Sequence, residues 1–179
     1  MIILALGSNL AGNLGSPDET LAMAIGSLES SPLCSVIEQS SCYLTAGVGP
    51  GRPTDFANAI AFIESHLSPE ALLRFLKNLE RSAGVRSALP WGPRSLDLDI
   101  IDYRGRVAGW RGNLVDAQRM QRLGRLTLPH PMAHMRAFVL EPLTEIWPDW
   151  RHPVFRLTAR QLLDRISDNP AGRVIERLD

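Results

Sequence analysis

The chain has 179 residues, 45% hydrophobic and 21% charged, close to globular averages, which argues against a disordered or fibrous protein. Its 19 basic and 19 acidic residues cancel, so bulk charge favours neither a nucleic-acid nor a membrane-surface binder. One domain is expected over 1–179, large enough to bury about 70% of its extended surface.

The charge is unevenly spread. Residues 1–80 hold three basic and eight acidic side chains, 3 − 8 = −5, and residues 81–179 hold sixteen and eleven, 16 − 11 = +5. Eighteen of the basic residues are arginine, and Lys77 is the single lysine. The second half is therefore rich in planar forks that suit phosphate oxygens. Cys34 and Cys42 are too few for a disulfide framework and match no zinc spacing. No run of 18 apolar residues or basic leader occurs, so a cytoplasmic protein without a membrane span is expected.

In chain order, Ile2 to Leu6 is an apolar run ended by Gly7-Ser8-Asn9, which predicts a buried strand entering a turn. Ser16 and Glu19 form a capping box before Leu21, Ile25 and Leu28 at helical spacing. Val36 to Leu44 and Phe56 to Glu64 read as extended, separated by a loop rich in glycine and proline. Ser68 and Pro69 open a second helix with Leu72, Leu76, Leu79 and Ala83 on one face. Leu96 to Tyr103 is a further strand.

Residues 104–125 read as an irregular basic insertion, Thr158 to Ile166 as a last helix, and 167–179 as a loose tail. The order β-α-β-β-α-β predicts an α+β, ferredoxin-like core, an antiparallel sheet with helices packed on it, followed by an irregular helical C-terminal part.

The segment Trp91-Gly92-Pro93-Arg94-Ser95-Leu96-Asp97-Leu98-Asp99-Ile100 carries the chemistry. Side chains two apart on a strand share a face, so Asp97 and Asp99 project together while Leu96, Leu98 and Ile100 enter the core. Two adjacent carboxylates call for a cation, and magnesium suits a few carboxylates plus substrate phosphates. D-x-D alone also fits a half-exposed strand whose acids face solvent. Arg94 and the rigid Trp-Gly-Pro turn shift the balance toward a nucleotide site. No glycine-rich phosphate loop of the G-x-x-x-x-G-K-[ST] kind is present, so magnesium and arginine would have to hold the phosphates.

Gly7-Ser8-Asn9, the W-G-P-R-x-L-D-L-D-I string, and Leu128-Pro129-His130-Pro131 with Arg136 and Phe138 together resemble 6-hydroxymethyl-7,8-dihydropterin pyrophosphokinases, over about residues 1–165. The resemblance implies transfer of pyrophosphate from ATP to the hydroxymethyl group of a reduced pterin, releasing AMP, in folate synthesis. It implies that Asp97 and Asp99 hold two magnesium ions, with Arg94 and Arg86 acting in catalysis. Glu80, Arg86, Trp91, Arg94, Ile100, His130 and Arg136 would bind ATP. Thr45, Val48, Phe56, Asn58, Asp97 and Phe138 would bind the pterin, sandwiched between the two phenylalanines. Small-molecule substrates, no nucleic acid, no membrane and a monomer are expected.

Other readings stand beside these. Phe56 and Phe138 also fit ordinary core positions. His130 and His134 have the spacing of half a zinc site, without a third ligand. The family pattern of two loop arginines is met here by Gly84 and Arg86, and its arginine before the tryptophan by Pro90. A degenerate binder of ATP or pterin, and a nucleotidyltransferase releasing pyrophosphate, are the rival functions. Arg81 and the basic insertion are the candidates to replace the missing cations.

Overall fold

A computed structural model describes residues 1–10, 15–47, 54–84, 95–110, 115, 125–166 and 172–178. Its first strand, β1 (Ile2–Ser8), leads through α1 (Pro17–Glu29) to β2 (Cys34–Gln39), β3 (Cys42–Thr45) and the long β4 (Phe56–Ser65). Helix α2 (Pro69–Ala83) then returns to β5 (Asp97–Tyr103). A 3₁₀ turn (Ala133–Met135) precedes α3 (Ala137–Ile146), α4 (Ala159–Arg165) and β6 (Val174–Leu178).

Local chemistry sets the helix starts. The Glu19 carboxylate accepts the Ser16 backbone N–H at 2.8 Å, and the Ser68 hydroxyl accepts the Ala71 N–H at 3.2 Å. Each satisfies a donor that the first turn leaves without a partner. Thr158 caps α4 in the same way, its hydroxyl accepting the Gln161 N–H at 3.1 Å.

All strand pairings are antiparallel, in the order β5-β1-β4-β3-β6, with β2 also on β4. The expected ferredoxin-like core is present: β1 and β4 lie in the middle, with β5 outside β1. The extended run expected over Val36 to Leu44 divides at Ser40. There the chain departs from the ladder and the Ser40 hydroxyl, not a backbone carbonyl, accepts the Ile60 N–H at 2.9 Å.

The tail expected to be loose is instead ordered over Val174–Leu178, where β6 pairs with β3. The C-terminal part also contains α3, with Pro142 inside it and Leu140, Leu143 and Val139 buried. Of the basic insertion, the described residues include the pairing of Ala108 with Leu128. Cys34 and Cys42 are free thiols. Among the described residues no helix is long and apolar enough to cross a membrane.

Strand alternation divides the sheet into two faces. One carries Ile2, Leu4, Leu6, Ala57, Ala59, Ala61, Ile63, Leu98 and Ile100, and packs with Leu21, Leu28, Leu72 and Leu76 of α1 and α2. The other carries Ile3, Ile60, Phe62 and Ile101 and packs with Val139, Leu140, Leu143, Trp150 and Leu162 from the C-terminal part. Trp150 anchors this second layer by donating its indole N–H to Asp102 at 3.0 Å.

Candidate functional site

The register places the site residues together. Gly7 on β1 pairs with Asp97 on β5 and with Asn58 on β4, and Ala5 pairs with Asp99. Directly paired residues share a face, so Asp97, Asp99 and Asn58 project from the same side of the sheet. Phe56 and Thr45, paired with each other on β4 and β3, share that face too. It is the face that carries Ile3, Ile60 and Phe62 of the second core.

Gly7 makes this junction possible. A Cβ built there would lie 3.0 Å from the Asn58 amide oxygen, so glycine lets that side chain rest against β1 without crowding. The Asn58 amide N–H donates to the Thr45 hydroxyl at 2.7 Å, and Asn58 is 5% exposed. A buried amide held by a fixed partner presents its remaining polar atoms in a defined direction.

Behind the carboxylates, Leu98 is fully buried, as the alternation predicts. Ile100 is buried on the same apolar side, so its side chain faces away from Asp97 and Asp99. A role for Ile100 at a ligand is therefore limited to its backbone.

Strand β5 is an edge, and α2 closes it at one residue. The Leu98 N–H donates to the Glu80 carboxylate at 2.7 Å, and the Lys77 ammonium donates to the Leu98 carbonyl at 3.3 Å. Lys77 also pairs with Glu80 at 2.5 Å and lies 4.0 Å from Asp99 Oδ1. Glu80 is 7% exposed. Its burial pushes the carboxyl above its ordinary range, against the opposing pull of Lys77. Burial also acts to lower the Lys77 value, but the charges of Asp99, Glu80 and Asp97 outweigh it and hold the ammonium above its ordinary value. The place of Lys77 at this site depends on how α2 lies against β5. Its signals in the sequence are its singularity and its spacing of three from Glu80 along a helix.

From the other layer, the buried His130 brings Nε2 to 3.8 Å from Asp99 Oδ2. Its Nδ1 accepts the Met132 N–H at 3.2 Å, which assigns the neutral ring's proton to Nε2. Burial first of all drives its pKa down to about 4, Asp99 pulling the other way, so the ring is neutral near pH 7. The Arg136 guanidinium carbon lies 5.3 Å from the centroid of the Phe138 ring, covering one of its faces. Both side chains are half-buried.

Val48, Arg86, Trp91 and Arg94, as well as Pro90, lie outside the described residues. Gly84, at a position where the family pattern sets an arginine, ends α2 with φ 128° and leaves 3.0 Å between a built Cβ and the Ser95 hydroxyl. A side chain there is strained by the backbone and crowds the Ser95 hydroxyl. Arg81 is exposed and donates to Asn78 along the helix at 2.7 Å. His134 packs instead on Phe155, with ring centroids 4.5 Å apart. No group of three His, Cys, Asp or Glu able to hold a metal occurs among the described residues. The Ser8 hydroxyl is buried without a hydrogen-bond partner among them.

The family model for 7,8-dihydro-6-hydroxymethylpterin-pyrophosphokinase matches residues 3–148. The 2-amino-4-hydroxy-6-hydroxymethyldihydropteridine pyrophosphokinase of Synechocystis is 36% identical over 157 residues, 88% of this chain and 73% of that protein. The enzyme of the same name from Pseudomonas aeruginosa is 35% identical over 85% of this chain and 83% of its own length. That of Methylorubrum extorquens is 34% identical over 95% and 96%.

Among solved structures, a Plasmodium falciparum HPPK-DHPS aligns with a TM-score of 0.68 at 14% identity, over 92% of this chain. The chain spans 44% of that longer protein, and the likeness concerns the fold.

Proposed function

Because the chain belongs to the 7,8-dihydro-6-hydroxymethylpterin-pyrophosphokinase family, we propose that it transfers pyrophosphate from ATP to 6-hydroxymethyl-7,8-dihydropterin, releasing AMP. It does so as a single-domain, cytoplasmic monomer. The observation that carries this reading is the common face holding Asp97, Asp99, Asn58, Phe56 and Thr45, bordered by His130.

The donor set suits magnesium. Two carboxylates at i and i+2, with the Asp99 side chain 28% exposed, offer ligands from one side only, so substrate phosphates and water complete the shell. Asp97 and Asp99 would hold two ions, which when bound neutralise phosphate charge and lower the acidity threshold of the attacking hydroxyl. The protein's own part is positioning. Asn58, fixed by Thr45, reads the polar edge of the pterin, helped by the backbone near Val48, while Phe56 and Phe138 flank its ring. Phe138 offers the face that Arg136 leaves open.

On the nucleotide side, the neutral His130 donates from Nε2, and Arg136, Arg94, Arg86 and Trp91 hold phosphate and sugar. Glu80 supports this side through β5, and Ile100 contributes backbone alone. The hydroxymethyl oxygen gives up its proton to solvent and bonds to the β-phosphorus as the bond from that phosphorus to the α,β-bridging oxygen breaks, and AMP departs with that oxygen. No covalent intermediate with the protein is required, so catalysis is alignment and charge stabilisation.

The test is AMP release from ATP with magnesium and the pterin. AMP that depends on the pterin supports the reading. Binding of both ligands by folded protein without AMP would move it to a non-catalytic binder, the alternative that the glycine at position 84 favours.

A further inference from the structure

We infer that Lys77 is a tethered counter-ion of the Asp97–Asp99 pair, standing in for a divalent cation while no nucleotide is bound. Three contacts fix its ammonium: Glu80 at 2.5 Å, the Leu98 carbonyl at 3.3 Å and Asp99 at 4.0 Å. The carbonyl belongs to the residue between the two aspartates, so the ammonium sits at the edge of the strand that carries them. Two unit charges 4 Å apart interact appreciably even in a partly solvated site. The ammonium therefore offsets the repulsion that two same-face carboxylates would otherwise suffer.

Glu80 supplies the tether. It is held in place by the Leu98 N–H and holds the ammonium of the flexible, 26% exposed lysine side chain. Removing the lysine charge takes away a positive charge 4.0 Å from Asp99 Oδ1 and so raises the pull of this strand on a divalent ion. In the native chain the tethered charge lowers that attraction, so that metal occupancy depends on the phosphates that arrive with the nucleotide.

The inference rests on reading Asp97 and Asp99 as the metal-holding pair, and it is tested without turnover. Mn²⁺ is titrated into nucleotide-free, full-length protein by calorimetry and by electron paramagnetic resonance. Lys77→Gln, which can still donate to Leu98 and Glu80, should bind Mn²⁺ about tenfold more tightly than the native chain, and Lys77→Arg should match the native chain. Adding Asp99→Asn to Lys77→Gln should abolish the gain.

A folded Lys77→Gln protein with unchanged or weaker Mn²⁺ binding overturns the inference. If that variant unfolds without metal, recovery of the fold by Mn²⁺ supports the inference and failure to recover overturns it. AMP formation separates the two readings. Normal pterin-dependent AMP with unchanged Mn²⁺ binding removes the counter-ion alone, whereas absence of AMP from the native chain removes the activity.

Discussion

The two faces of the sheet meet their helices differently. The face under α1 and α2 is apolar from Ile2 to Leu6 and from Ala57 to Ile63, and its helices close over it. The face under α3 and α4 is apolar only in its Ile3, Ile60, Phe62 and Ile101 portion. At its other end the same strands present Asp97, Asp99, Asn58 and Thr45. One sheet thus stabilises the molecule on one side and offers chemistry on the other, and the two-residue period keeps the roles apart. Each aspartate projects away from a leucine or isoleucine that fastens its strand.

The largest effects are expected where the polar face is altered. Asp97→Asn and Asp99→Asn should each lower AMP formation by about 10³-fold or more, because each removes charge from the pair proposed to hold the metal ions. Their urea midpoints should stay near the native value, since neither side chain belongs to a core. A midpoint collapse matching the activity loss would erase the distinction between the faces.

The converse change is Leu4→Ala on the apolar face. Leu4 is fully buried, so the substitution should cost about 2–5 kcal/mol in urea unfolding. Its KM for the pterin in the surviving folded protein should stay native.

Acid provides a third comparison. His152 is fully buried, and burial lowers its pKa to about 3 from the ordinary 6.5. The folded state thus resists a proton that the unfolded chain takes up. This stability is complete above pH 6.5 and is lost as the pH falls toward 3. For one such group the loss at pH 5 is roughly 2 kcal/mol relative to pH 7. His130 adds a loss of the same sign between 6.5 and about 4. Urea unfolding at pH 7, 6 and 5 measures it, and a flat profile would contradict the burial of both rings.

The smallest effect belongs to Glu145. Its carboxylate accepts the Ser41 N–H at 2.9 Å, the Ser41 hydroxyl at 2.8 Å and the Tyr43 hydroxyl at 3.0 Å, and pairs with Arg177 at 3.1 Å. These contacts join α3 to β3 and β6 near solvent. Glu145→Ala should cost about 1 kcal/mol or less and leave turnover intact.

Much of this division is legible in the chain. The alternation from Leu96 to Ile100 predicts which side chains are buried, and Ser16 with Glu19, and Ser68 with Pro69, mark two helix starts that the structure contains. Less legible are features created by distant partners. Val174–Leu178 is a short, largely exposed run that becomes a strand because β3 offers an edge. Helix α3 is masked by Pro142, whose cost is offset by burying Leu140 and Leu143. The contact of Lys77 with Leu98 spans 21 positions and depends on how α2 lies against β5. Gly84 resembled a lost arginine in the sequence, whereas its backbone conformation makes it the end of a helix.

The most direct measurement is pterin-dependent AMP formation by the native chain beside Asp97→Asn and Asp99→Asn, with magnesium and ATP. Prompt AMP is expected from the native protein, dependent on 6-hydroxymethyl-7,8-dihydropterin, and nearly none from either folded variant. Equal AMP from all three, or none from folded native protein, would contradict this.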